Sequence, residues 1–138
     1  MTDVRAADST AGQRGDISIT TTQAITYAYI LTDGGTVSLD GSSINSTATG
    51  GTITTVLGSA RGFVTLTAST GDITIGKTMS IGGLAATTPG TFSAALNIDG
   101  GIDNIGIAAG TSIVVGGFVR TTGTGTISKS WSKRAPAN

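Results

Sequence analysis

The segment Gly15-Asp16-Ile17-Ser18-Ile19 decides the fold, because the chain repeats it almost unchanged at Gly71-Asp72-Ile73-Thr74-Ile75. Partial copies occur at residues 36–39, 52–56, 63–66, 96–98 and 112–115. In each copy apolar residues alternate with small polar ones, and a β-strand sends such alternating side chains to opposite faces. A strand pattern that recurs along a chain is typical of a repeat architecture.

The spacing of the copies indicates how the repeats are arranged. The strongest strand onsets lie on average about 19 residues apart. They are Ile17, Val37, Ile53, Ile73, Leu96 and Ile113. One unit of this size cannot bury its own apolar side, so several units must stack. The sequence therefore predicts an all-β fold, a single parallel β-solenoid of about seven coils of about 19 residues, with Ile inward and Ser or Thr outward.

The composition favours strands over helices. Gly contributes 22 residues, Thr 26 and Ser 14, which is 62 of 138, and glutamate is absent. Gly and Thr are poor helix formers, whereas Thr, Ile and Val suit a pleated surface. A disordered or aggregating chain is the alternative for such a composition. The fifteen Ile residues include alternating pairs such as Ile17/Ile19 and Ile73/Ile75, which favour folded strands.

The chain divides into three parts on this interpretation. Residues 1–14 form a polar lead-in or cap without an apolar signal-peptide core. Residues 15–128 form the solenoid, interrupted by an irregular loop at 84–95, since Pro89 cannot donate to a strand ladder. Residues 129–138 form a basic C-terminal tail that, with Trp131, covers the final coil.

The composition also excludes several classes of function. Cysteine and histidine are absent, which rules out disulfides, thiolate nucleophiles and Cys/His metal sites. The formal net charge is zero, so nothing favours nucleic acid, and no apolar run reaches the length of a membrane span. The few acids are scattered in turns. We therefore predict no enzymatic activity, no catalytic residues, no cofactor and no metal.

Aspartates beside glycine are the one set that could hold a cation. They are Asp33, Asp40, Asp99 and Asp103. Such oxygens can bind Ca²⁺, but the favoured interpretation is a turn aspartate that bonds its own backbone.

Two groups of residues are candidates for binding. Arg14-Gly15-Asp16 resembles the integrin-recognition tripeptide, although the favoured interpretation is that Gly15-Asp16 simply begins a coil, as Gly71-Asp72 does. The second group consists of residues expected to lie in exposed loops at 22–31 and 84–95. They are Tyr27, Tyr29, Pro89 and Phe92.

The repeat style supplies a family resemblance. Gly-Asp-Ile-x-Ile followed by a Thr-rich strand and a Gly-Gly turn resembles the coil repeats of filamentous-haemagglutinin-like proteins, which are exported adhesins and two-partner-secretion passengers of Gram-negative bacteria. The resemblance covers most of residues 15–128. It implies a right-handed parallel β-helix at the cell surface, and no catalytic residues. The family's amino-terminal secretion domain is missing, so we expect a piece of a longer exported chain.

These observations predict an extracellular structural or adhesive rod that presents loops to a host or neighbouring cell surface, through protein or glycan. The alternative is a filament subunit that self-associates end to end, because the end coils expose strand edges. Two weaker alternatives remain. Thr-x-Thr pairs (52/54, 65/67, 122/124 and 124/126) could form an ice-binding face, and the few aromatic residues could form a carbohydrate-binding platform.

Overall fold

In the computed structural model, short strands follow one another along the chain, as the alternating pattern predicts. The structure describes residues 3–6, 15–32, 34–47, 51–57, 60–122 and 125–131. These residues contain no helix. Their strands are β1 (Asp3–Ala6), β2 (Ile17–Thr20), β3 (Ile25–Tyr27), β4 (Tyr29–Thr32), β5 (Val37–Gly41), β6 (Ile44–Ser46), β7 (Thr52–Thr54), β8 (Val56–Leu57), β9 (Ala60–Arg61), β10 (Phe63–Ala68), β11 (Ile73–Ile75), β12 (Met79–Ser80), β13 (Gly83–Thr88), β14 (Thr91–Ala94), β15 (Ile98–Asp99), β16 (Ile105–Ala109), β17 (Ser112–Val115), β18 (Val119–Arg120) and β19 (Ile127–Trp131).

The strands form three parallel sheets. Sheet A has the order β1-β4-β7-β12-β15-β18, sheet B the order β2-β5-β10-β13-β16-β19, and sheet C the order β3-β6-β11-β14-β17. The chain visits sheets B, C and A in turn, so one coil contributes one strand to each sheet. This is a parallel β-solenoid, which confirms the predicted fold class. The described strands make five complete coils, with β1 before them and β19 after them.

The predicted seven coils of about 19 residues are wrong, because the chosen strand onsets belong to different sheets. The repeated phrase itself lies in sheet B at Ile17 and in sheet C at Ile73. Leu96 does not begin a strand; its side chain is 48% exposed at a corner, two residues before β15. Residues that truly align in sheet B are 20, 27, 20, 21 and 22 residues apart. They are Ile17, Val37, Val64, Leu84, Ile105 and Ile127.

The 27-residue coil is long because it carries an insertion. Strands β8 and β9 form an antiparallel hairpin between sheet A and sheet B, with Val56 paired to Arg61. The hairpin brings Arg61 to the outside of the solenoid, beside the strands of sheet A in later coils.

The predicted irregular loop at 84–95 is also wrong. Residues 83–88 are β13 and residues 91–94 are β14, and both pair in register with the coils on either side. Pro89 lies at the two-residue corner between them and is exposed. A corner position needs no ladder N–H, so proline fits without leaving the rod.

The predicted terminal segments also contain strands. Residues 3–6 form β1, which pairs with β4, and Lys129 lies in β19. Residues 132–138 lie outside the described part of the chain.

The core consists of side chains stacked in columns along the rod. In sheet C the inward column is Ile25, Ile44, Ile73, Phe92 and Ile113, and in sheet A it is Ile30, Ile53, Met79, Ile98 and Val119. Most of these side chains are fully buried. Thr and Ser occupy the alternate, outward positions in the repeated phrases, as predicted.

Backbone hydrogen bonds between coils have a fixed direction. An inward residue donates its N–H to the following coil, as Ile17 does to the carbonyl of Thr36 (2.9 Å). An outward residue donates to the preceding coil, as Ala95 does to Ile75 (2.9 Å). The two ends of the rod therefore present different backbone groups. The backbone N–H and C=O groups that face the C-terminal end belong to inward residues. Those that face the N-terminal end belong to outward residues.

Candidate contact surfaces

The carboxylate of Asp16 has a structural partner. Asp16 immediately precedes β2, is exposed, and its Oδ1 accepts the N–H of Thr36 in the following coil at 2.8 Å. Gly15 lies beneath Gly35 at the same corner. Arg14 lies outside the described residues. Cell attachment through Arg14-Gly15-Asp16 therefore stays a prediction, and one carboxylate oxygen of the tripeptide already bonds to the fold.

The same arrangement recurs at other corners. Each of these side chains precedes a strand and accepts, through Oδ1, the N–H of the aligned residue one coil later. The pairs are Asp72 with Thr91 (2.8 Å), Asn97 with Phe118 (3.0 Å) and Asn104 with Thr126 (3.0 Å). The aspartate of the repeated phrase lies at a corner, but its side chain does not bond its own turn. It bonds the next coil instead, because stacking places a backbone donor above each corner.

Three of the four aspartates considered for calcium lie in the described part of the chain, at separate places. Asp40 lies within β5, Asp99 within β15, and Asp103 at an exposed corner. Asp33 is outside the described residues. Within the described part of the chain, no group of three or more His, Cys, Asp or Glu side chains is placed to hold a metal ion.

The prediction of exposed aromatic residues is wrong for Tyr27 and Phe92, whose side chains are fully buried. Tyr27 and Tyr29 are not alternate residues of one strand, because a corner at Ala28 separates β3 from β4. Tyr27 therefore points inward with Ile25, whereas Tyr29 is half-buried. The Tyr27 hydroxyl donates to the carbonyl of Gly51 (3.4 Å), and burial raises the pKa of this phenol well above its ordinary value.

Pro89 is the predicted loop residue that does reach a surface groove. It lines an open, largely apolar groove of about 610 Å³ together with Thr87, Ala108 and Ser130. The groove follows the corner between sheets B and C.

Thr-x-Thr pairs lie on different faces. Thr52 and Thr54 belong to β7 in sheet A, whereas Thr65 and Thr67 belong to β10 in sheet B. Ice binding needs the pairs on one face of successive coils, and these two pairs do not share a face.

One polar cluster on the outside of sheet A was not predicted. The Arg120 guanidinium donates to Asp99 from Nε (2.9 Å to Oδ1) and from Nη2 (3.3 Å to Oδ2). Arg61, from the inserted hairpin, lies 4.0 Å from the same carboxylate. The Arg120 guanidinium also stacks over the Phe118 ring at 4.7 Å. We call Arg61, Asp99, Phe118 and Arg120 the arginine patch.

The chemistry of the arginine patch is cationic and apolar. Asp99 raises the pKa of Arg120 through a hydrogen bond and its charge, so the guanidinium stays protonated. Two arginines share one carboxylate, which leaves a net positive charge on the cluster. A cavity of about 220 Å³ lies beside Arg61, where Ile102 is 70% exposed. Arginine, aromatic and exposed aliphatic groups together are typical of contact surfaces.

A second surface is the C-terminal end of the rod, where β17, β18 and β19 are the last strands of sheets C, A and B. A cavity of about 440 Å³ opens there onto the core. It is lined by Ile113, Val115, Gly117, Val119, Ile127 and Lys129.

All five large apolar residues that are exposed in the described part of the chain lie between residues 96 and 127. They are Leu96, Ile102, Val114, Phe118 and Ile127. Apart from Arg61, which comes from the inserted hairpin, both candidate surfaces are built from residues that follow β14.

Sequence reasoning predicted open strand edges at the ends of the rod but missed the arginine patch, because the patch depends on register. Asp99 and Arg120 become neighbours only when the coil length is known, since they are paired across sheet A. The signal that could have found them is an exposed apolar residue within a Gly-rich corner, as in Gly101-Ile102.

Comparison with known proteins finds no matching family model, no similar curated protein and no similar solved structure. Among the described residues there is also no helix long and apolar enough to cross a membrane.

Proposed function

We propose that this chain is an extracellular structural rod with an adhesive role, of the kind found in exported surface proteins of bacteria. The observation that carries the proposal is that all exposed large apolar side chains of the described residues lie between residues 96 and 127, where Arg120 stacks over Phe118. Arginine and aromatic side chains are enriched at protein contact surfaces.

The rod supplies stiffness and spacing. Each complete coil is bound by backbone hydrogen bonds to its neighbours, and five coils at about 4.8 Å each extend about 24 Å. The arginine patch supplies the contact. Its guanidinium groups suit carboxylates and other anionic groups of a cell-surface protein or glycan, because arginine binds such groups in a planar, bidentate geometry.

Adhesion of beads coated with the purified chain to bacterial and epithelial cells tests this role. We expect Phe118→Ala and Arg120→Ala to lower adhesion at least about tenfold, as loss of a contact hot spot does. Thr65→Ala, an outward residue of sheet B, is the matched control and should leave adhesion unchanged. Equal adhesion of all four proteins, or no adhesion of the wild type, would contradict the adhesive role.

A filament subunit is the second candidate function. The open cavity at the C-terminal end favours it, because exposed strand edges over an open core recruit further strands. Electron microscopy of the purified chain separates the two roles. Fibres one solenoid wide would support the filament, whereas single short rods would leave adhesion as the function.

A further inference from the structure

The C-terminal end carries the groups that a further coil would need. In the described strands, inward residues donate their N–H to the following coil, and β17, β18 and β19 have no following strand among the described residues. Their inward residues are the same ones that line the 440 Å³ cavity, such as Ile113, Val119 and Ile127. Backbone donors, backbone acceptors and apolar side chains therefore face the same opening.

One residue at this opening breaks the pattern of its column. In sheet B the column beside the core consists of Ile19, Leu39, Leu66, Ala86 and Ile107, and its last member is Lys129. The Lys129 side chain is exposed and lines the cavity. An inward-pointing lysine on an edge strand is a known way in which proteins prevent strand addition.

We propose that the C-terminal end is a docking surface for the N-terminal end of a second copy of this chain, and that Lys129 suppresses this docking. The inference rests on the structural role proposed above. It adds to that role the identity of the partner and the residue that controls the contact.

The direction of the hydrogen bonds favours this occupant. The N-terminal edge of sheet B is β2, whose outward residues, such as Ser18, direct their backbone groups away from the rod. These N–H and C=O groups complement the N–H and C=O groups of the inward residues of β19. A second copy would therefore continue the parallel ladder in the same register. Ile19 of that copy would then lie above Lys129.

Formal charges favour the same arrangement. The described residues at the N-terminal end have a formal net charge of −1, from Asp3 and Arg5 of β1 and Asp16 of the first coil. Those of the last turn, 112–131, contain Arg120 and Lys129. Arg120 is paired with Asp99, so head-to-tail stacking brings the net negative N-terminal end to Lys129, whereas two C-terminal ends in contact would oppose two lysines.

Lys129 works against the junction because stacking would enclose its ammonium group within an apolar core. Burial of a charge without a partner is strongly unfavourable. Removal of that charge should therefore strengthen end-to-end association at least about 100-fold.

Sedimentation velocity and electron microscopy of the full-length chain test this inference. We expect the wild type to remain monomeric up to about 100 µM. Lys129→Ile, which restores the residue type of Ile107, should form fibres one solenoid wide at concentrations at least about 100-fold lower. Lys129→Gln removes the charge with little added hydrophobicity and should show the same trend. Lys77→Ile, at an exposed corner of the third coil, is the matched control and should stay monomeric.

Variants of the N-terminal edge identify the partner surface. In the Lys129→Ile background, Ile19→Lys places a charge at the opposite side of the junction and should restore monomers. Ser18→Pro removes one outward N–H from β2 without altering the core and should do the same, which keeps the test open if Ile19→Lys does not fold.

Three outcomes would overturn the inference. Lys129→Ile could stay monomeric with the far-UV circular dichroism of the wild type. It could form closed dimers that Ser18→Pro does not affect, which would indicate contact between two C-terminal ends. Finally, Lys77→Ile could assemble equally well, which would indicate nonspecific hydrophobic association. The adhesion of the Phe118 and Arg120 variants is measured separately, so failure of the docking and failure of the adhesive role are distinguishable.

Discussion

Replacement of Gly62 by alanine should destabilise the rod far more than the same replacement at Gly106. Gly62 belongs to a column of glycines, Gly15, Gly35, Gly62 and Gly82, at the corner that leads into sheet B. A Cβ atom at Gly62 would lie 1.6 Å from the carbonyl oxygen of Gly35. Real Cβ contacts are essentially never closer than 3.0 Å, so the two coils must separate by about 1.4 Å at this corner.

The expected loss in the free energy of unfolding follows from the hydrogen bonds of Gly62 that such a shift would disturb. The Gly62 N–H donates to Thr55 (3.0 Å), and the Gly62 carbonyl accepts from the Gly82 N–H (2.8 Å) and the buried Thr55 hydroxyl (2.7 Å). None of these bonds joins Gly62 to Gly35, so a shift of Gly62 by more than about 1 Å away from Gly35 distorts the geometry of all three. At about 1 kcal/mol for each bond, Gly62→Ala should lower the free energy of unfolding by about 3 kcal/mol.

Gly106→Ala is the matched control. Gly106 lies in β16 on the outward face, and an added Cβ would meet only the Leu84 carbonyl oxygen at 3.9 Å, an ordinary contact. We expect this variant to gain about 0.5 kcal/mol, because alanine loses less conformational entropy on folding than glycine. Urea unfolding followed by far-UV circular dichroism measures both. If the two variants differ by less than about 1 kcal/mol, the corner is flexible and the close packing of coils inferred here is wrong.

Three further predictions concern the core and the corners. Above about pH 10 the unfolded chain deprotonates at Tyr27 before the folded chain does, so the free energy of unfolding should fall by up to about 1.4 kcal/mol per pH unit. In urea titrations from pH 9 to 11, Tyr27→Phe should remove this loss, whereas Tyr29→Phe should retain it. Asp72→Ala should lower the free energy of unfolding by about 1 kcal/mol, because it leaves the Thr91 N–H without its acceptor. Asp72→Asn should lower it less, because its Oδ1 remains. Equal losses in urea unfolding would exclude this role. Phe92→Ala should lower the free energy of unfolding by about 3–5 kcal/mol in the same assay, because it removes a buried ring. A loss under about 1 kcal/mol would mean that Phe92 is not a core residue.

The sequence was sufficient to predict the fold class, because alternation of apolar and small polar residues is a local property. Ile73 and Ile75 point inward as the pattern predicts, with Thr74 outward between them. The number of coils could not be predicted in the same way. Strands of all three sheets obey the same alternation, so nothing within Gly-Asp-Ile-x-Ile distinguishes sheet B from sheet C.

The candidate binding residues failed for a related reason. A corner resets the alternation, and nothing in the residues around Ala28 marks it as a corner. Tyr27 therefore appeared to belong to the same strand as Tyr29, although the two lie in different sheets. Phe92 was assigned to a loop because of Pro89, yet the corner contains only Pro89 and Gly90, and the strand resumes at once.

Contacts in this fold join residues about one coil apart, so its surfaces are properties of columns rather than of sequence neighbours. A residue in the middle of a column must suit the coils on both sides, which restricts inward positions to apolar side chains. The last strand of a column has a neighbour on one side only, and the restriction is relaxed. The change from Ile107 to Lys129, and from Asn97 to Phe118 on the outer face, occurs where that relaxation begins. The physical freedom to carry charge and exposed apolar groups is therefore greatest in and beside the last described strands of the three sheets. This is why the contact functions proposed here are assigned to them and not to the repeated Gly-Asp-Ile-x-Ile segments.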